Sequence, residues 1–218
     1  MTNFFEKLKT ETTKEREKLY QNPLILAALQ GNISLKTYAN YLTQAYHHVK
    51  HTTPLLMLVG SKISSDKEFL RDALAEYVEE ELGHQEWILN DIANCGFDKE
   101  KARHSKPNDA TDLMIAYAYD FVNRKNPVGF FGMVFVLEGT STSLATEAAG
   151  VIMNNLKLEK NCFSYLFSHG SLDIKHMKFF ENLVNKITDK NDQQAIIDMA
   201  KMMFGLFDSM LFSVKIEN

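Results

Sequence analysis

Cysteine is scarce in this chain: only Cys95 and Cys162 are present, far apart and in no CxxC arrangement. Neither a disulfide framework nor a thiolate metal site is therefore indicated, and a reducing cytoplasm fits. Proline occurs four times, and no NG or DG dipeptide separates short alternating apolar runs, so the signals of β-hairpins are missing. Arginine is limited to Arg16, Arg71, Arg103 and Arg124; the other basic residues are lysines scattered among acids, and the formal net charge is −4. A nucleic-acid surface is therefore not expected. The longest apolar run, Val128 to Leu137, is about half of what a bilayer crossing needs, so no membrane span is expected. The opening MTNFFEKLKTETTKEREK lacks the order of a secretory signal, and a cytoplasmic location is the expectation.

The 218 residues are 45% hydrophobic, with 15 Phe and 10 Met, enough for a sizeable core and a single domain over 1–218. Helical signals recur throughout. Phe4, Phe5 and Leu8 open an amphipathic helix reaching Tyr20, and Pro23 starts a short one ending at Gly31. Ser34 caps a third, kinked at Pro54 and ending near Ile63. A capping box at Ser65 to Glu68 opens a fourth, which runs to Cys95 with Gly96 as its stop. A fifth ends near Arg124, and Asn126-Pro127 starts a long sixth to Leu156. The last third holds Lys160 to Ile187, with a break anticipated near Gly170, and Asp192 to Val214. The pattern predicts an all-α, single-domain bundle of about seven helices.

Within that bundle, a few polar residues fall on apolar faces. On the fourth helix Asp72, Glu76, Glu79 and Glu86 form a solvated stripe, whereas Glu81 lies about 200° from Glu79, among Leu70, Leu74 and Tyr77. His84 follows one turn later on the same side. Glu80 is less well placed. This pair reads either as a core Glu–His hydrogen bond or as part of a metal site. On the sixth helix Glu138 follows Phe131, Val134 and Phe135 inward and must be paired, protonated or bound to a cation; Glu147 faces the other way. His169, Asp173 and His176 fall within an arc of about 60° and converge. Three carboxylates and three imidazoles from three inward-facing stretches suit two iron ions. His47, His48 and His51 offer metal-compatible spacing but no third ligand. They read as packed or surface histidines, with His48 bordering the pocket.

A Glu and His on one helix, a Glu on a second and a His/Asp/His group on a third resemble the haem-oxygenase-like di-iron oxidases and oxygenases, over roughly residues 35 to 190. Ferritin-like bundles require a second Glu-x-x-His, which is absent. Within the family the spacing is most similar to the branch of fatty-acid decarboxylases that form 1-undecene. The resemblance implies a haem-oxygenase-like fold and two Fe(II) ions per chain held by Glu81, His84, Glu138, His169, Asp173 and His176. Glu81, Glu138 and Asp173 would take part in catalysis, with O2 as co-substrate. It also implies a small organic carboxylate as substrate, a fatty acid or an amino acid, and oxidative decarboxylation among the reactions. A homodimer is compatible with this reading. The same fold houses haem oxygenases, TenA-type thiaminases and pyrroloquinoline-quinone synthase. No histidine precedes His47 to bind haem, and Glu138 stands where a thiaminase has its nucleophilic Cys. A metal-free enzyme of the TenA or quinone-synthase kind and a non-enzymatic helical binding protein are the competing readings.

Overall fold

A computed structural model describes residues 3–217, with the side chains of residues 171–174 outside that description. Twelve α-helices and no strand occur among the described residues. In chain order they are α1 (Phe4–Glu11), α2 (Thr13–Tyr20), α3 (Pro23–Leu29), α4 (Leu35–Val49), α5 (Thr52–Lys62) and α6 (Glu68–Glu81). They continue with α7 (His84–Asn94), α8 (Lys99–Arg103), α9 (Asp109–Arg124), α10 (Phe131–Leu156), α11 (Ser164–Val184) and α12 (Lys190–Ser213). One continuous apolar cluster runs from Phe4 to Val214.

The count exceeds the predicted seven because several expected helices are broken. The Phe4–Tyr20 stretch divides at Thr12, whose buried hydroxyl bonds back to the Leu8 carbonyl at 2.8 Å. Such back-bonding competes with the helical ladder. The Ser34–Ile63 stretch is not kinked but interrupted at Lys50 and His51. Pro54 cannot donate to the fourth carbonyl behind it, and the restart at Thr52 places it in the first turn of α5, where no donor is needed. The Ser65–Cys95 stretch divides at Leu82 and Gly83, and the stretch from Pro127 begins as a 3₁₀ turn before α10.

The break anticipated at Gly170 does not exist: α11 is continuous. Gly170 instead serves helix contact, since a Cβ there would stand 2.1 Å from Thr146 Oγ1 on α10. The glycine lets α11 lie close against α10, which carries Glu138. The segment 127–156 is long and apolar enough to cross a bilayer by length and composition, which a count of uninterrupted apolar residues misses. Most of its apolar window, 61%, is buried inside the bundle, as befits a core helix.

Candidate metal centre

Glu81 is the last residue of α6 and His84 the first of α7. The two flank a turn in which Leu82 is 61% exposed and Gly83 adopts φ +89°. Only glycine takes that backbone without strain. The expectation that both lie on one continuous helix is thus wrong, yet the turn returns the side chains to each other. His84 Nδ1 stands 3.0 Å from Glu81 Oε2, both residues buried. Exposed Glu79 and Glu147 conform to the predicted faces.

The third stretch is positioned by a cap from elsewhere in the chain. Asp91 of α7, fully buried, accepts from the backbone N–H of Ser164 at 3.0 Å and of Tyr165 at 2.9 Å. It thereby satisfies the orphan donors at the start of α11. Burial raises the Asp91 pKa above the ordinary carboxylate range, against the lowering effect of those hydrogen bonds. No local sequence signal reveals this, because donor and acceptor are more than 70 positions apart. With α11 anchored at its start by Asp91 and set close to α10 by Gly170, His169 and His176 project toward α6 and α10.

Two donor clusters result. Glu81, His84 and His169 each offer one ligand atom within 4.8 Å of the others, and so do Glu81, Glu138 and His176. Glu81 belongs to both. The His84 and His169 rings lie 4.9 Å apart, edge to face. Trp87 stacks on His84 at 3.9 Å, and Tyr165 borders His169 at 4.7 Å. His176 Nδ1 lies 3.6 Å from Glu138 Oε1. Asp173 lies outside the described residues. The structure therefore brings together five of the six predicted residues and adds one undervalued in sequence: Glu80, whose Oε2 stands 2.8 Å from His176 Nε2.

The donor set meets the chemistry of iron. Carboxylate and imidazole in these proportions are the ligands of non-haem iron sites. His84 Nδ1, though 3.0 Å from a carboxylate oxygen, makes no hydrogen bond among the described residues. A nitrogen presented off the hydrogen-bond direction beside a carboxylate suits a shared cation.

Glu81, Glu138 and His169 line an apolar cavity of about 180 Å³. Leu24, Leu56, Met133, Leu144 and Phe207 supply part of its wall, and neither Lys nor Arg lines it among the described residues. The four arginines are engaged elsewhere: Arg71 with Glu68, Arg103 with Glu86 and Glu100, Arg124 with Asp120, and Arg16 with Thr13 and the Lys9 carbonyl. The histidines at the end of α4 and just beyond it form no metal cluster among the described residues. His47 Nε2 pairs with Ser105 Oγ at 2.8 Å and His51 Nδ1 with the Tyr119 hydroxyl at 3.1 Å.

Comparison with known proteins accords with this arrangement. A domain from Shewanella denitrificans OS217, described as of unknown function with a heme oxygenase-like fold, is 26% identical, with a TM-score of 0.87 over 98% of this chain and 92% of that one. The haem oxygenase of Leptospira interrogans is 15% identical, with a TM-score of 0.77 over 97% of this chain and 99% of that one. A TenA homologue from Pseudomonas syringae pv. tomato is 12% identical, with a TM-score of 0.77 over 95% and 91%. These last two likenesses concern the fold, which is haem-oxygenase-like, and the fold is shared by different chemistries. No curated protein matches. The family model described as iron-containing redox enzyme matches residues 39–208, most of the chain, and the chain belongs to that family.

Proposed function

We propose that this protein is a non-haem di-iron oxidase or oxygenase that uses O2 to oxidise a small organic substrate. The observation that carries the reading is the sharing of Glu81 between two donor clusters, one completed by His84 and His169 and the other by Glu138 and His176. A carboxylate common to two clusters is the natural bridge of a two-metal site, and membership of an iron-containing redox family supports iron as the metal. Asp173 is retained as a further ligand on the strength of its spacing.

When bound, Fe(II) supplies the electrons for O2 reduction and Lewis acidity toward the substrate. The protein's own contribution is positioning. Glu81 and Glu138 offer carboxylate oxygens in the wall of an apolar cavity, His84, His169 and His176 offer nitrogen donors, and the apolar wall limits water beside them. Neither Lys nor Arg lines the cavity among the described residues, so a substrate carboxylate would find its cation at the metal site. The acid class itself comes from the similarity in motif spacing. The similarity of spacing to the 1-undecene-forming decarboxylases makes a fatty acid the first candidate and oxidative decarboxylation the first reaction, with amino acids next. Buried free thiols at Cys95 and Cys162 accord with a cytoplasmic setting.

The competing TenA-like reading needs a cysteine in the pocket, and Cys162, in the turn before α11, is not among the described residues lining it. Anaerobic Fe(II) titration should load close to two ions per chain, and Glu138→Ala or His176→Ala should reduce that number. O2 uptake should then accelerate with one member of a panel of fatty, amino and aromatic acids, with mass spectrometry recording lost CO2 or added oxygen. Unchanged loading in both variants would remove the site. Full loading without any O2 reaction would leave a structural metal and overturn the oxidase.

A further inference from the structure

At the end of α4 and in the break after it, the structure treats three histidines differently. His47 and His51 each have a side-chain partner, Ser105 and Tyr119. His48, between them, is 5% exposed, and its Nδ1 is buried without a hydrogen bond among the described residues. Its ring meets Phe207 edge to face at 6.1 Å, and both residues line the cavity that also holds Glu81, Glu138 and His169. A buried polar atom without a partner costs stability and calls for an explanation in each instance. Packing does not provide one here. A leucine would fill the same wall without the penalty, and the same stretch satisfies the imidazoles one residue before and three residues after.

We propose that His48 is the point at which the cavity recognises a neutral hydrogen-bonding group, a hydroxyl, carbonyl or amide, on the otherwise apolar body of a compact substrate. The chemistry narrows the class. Burial, followed by the neighbouring His169 and His51, pushes the His48 pKa down to about 3. The ring is therefore neutral at physiological pH, with one N–H donor and one bare nitrogen. Such a ring pairs with an uncharged group that can donate or accept. It carries no charge to balance an anion, and neither Lys nor Arg lines the cavity among the described residues. The cavity volume, about 180 Å³, compares with roughly 150 Å³ for an engineered apolar cavity that takes up benzene, so the body of the ligand is short. This inference rests on the cavity being the substrate pocket of the di-iron reading, and it adds to that reading a second anchor in the wall of the cavity that Glu81, Glu138 and His169 also line.

The test uses the full-length chain, metal-free and loaded anaerobically with Fe(II), and measures uptake of 1-hexanol and hexane by headspace partitioning. His48→Leu should weaken 1-hexanol binding about tenfold and leave hexane within about twofold, whereas His48→Gln, which keeps a donor and an acceptor, should retain most of the 1-hexanol affinity. His48→Leu should also melt at the same or a higher temperature, because it removes an unpaired buried polar atom. A His48→Leu protein that melts lower, or that loses hexane and 1-hexanol equally, would show His48 to be a packing residue and overturn the proposal. Unchanged 1-hexanol binding would overturn it as well, as would wild-type protein that takes up neither probe. Iron loading is read in the same samples. Failure of the wild type to bind iron would overturn the di-iron reading while the contrast between 1-hexanol and hexane still decides the role of His48.

Discussion

Glu80 Oε2 lies 2.8 Å from His176 Nε2, while the other ring nitrogen of the same histidine, Nδ1, stands 3.6 Å from Glu138 Oε1. A carboxylate beside Nε2 favours the proton on that nitrogen and leaves Nδ1 on the side of Glu81 and Glu138. Histidine ligands commonly use this arrangement, and the outer carboxylate raises ligand basicity. Glu80→Gln should therefore weaken Fe(II) affinity of one of the two sites by about 10–100-fold. Glu79→Gln, one residue away and exposed, should leave both unchanged. Equal affinities for the Glu80 variant and wild type, measured by anaerobic competition with a chromogenic chelator, would deny Glu80 this role.

The shared position of Glu81 makes a stoichiometric prediction. Glu81→Gln should depress loading of both ions, whereas Glu138→Ala should depress one, leaving the cluster of Glu81, His84 and His169. Iron-loaded wild type should melt above the metal-free protein because a ligand that prefers the folded chain stabilises it by mass action. That increment should shrink more in Glu81→Gln than in Glu138→Ala. The reverse order would place the bridge elsewhere.

Close contact between α10 and α11 gives a third test. Gly170→Ala puts a methyl 2.1 Å from Thr146 Oγ1, and overpacking of this kind costs about 1–3 kcal/mol. Urea unfolding should show a loss of that order. Thr146→Ala should restore part of it in the double variant, because the clashing hydroxyl is then gone. Additive losses in the double variant would mean that the contact is not the cause.

A fourth prediction concerns acid. Burial first, then the charges of Lys50 and His51, push the His47 pKa from 6.5 down to about 4. The folded chain thus binds fewer protons at this ring than the unfolded chain, so stability rises with pH between the two values. Its contribution is present above about pH 6.5 and is lost as pH falls toward about 4. His47→Gln should make the decline in melting temperature over that window shallower. A parallel decline in variant and wild type would assign the acid sensitivity to other groups.

Much of the candidate centre was legible from periodicity because burial of a carboxylate or imidazole on an apolar helix face is itself a signal. Glu81, Glu138 and His176 stand out as polar interruptions of apolar stripes, and Glu79 and Glu147 fall on exposed faces as predicted. The all-α class followed from helix caps and the lack of hairpin turns. Four features were not legible in that pattern, one because a local turn replaces helical spacing and three because they depend on contacts between distant residues. Leu82 and Gly83 break a helix whose pattern reads as continuous, because a left-handed glycine returns Glu81 to His84 by a turn rather than by helical spacing. Asp91 anchors the start of α11 from another helix, and Gly170 marks close packing where a lone glycine suggests a break. Glu80, at a less favourable angle on the wheel, meets His176 only because α11 is set beside the end of α6. Local pattern determines which side chains turn inward; the packing of helices against one another determines which of them meet.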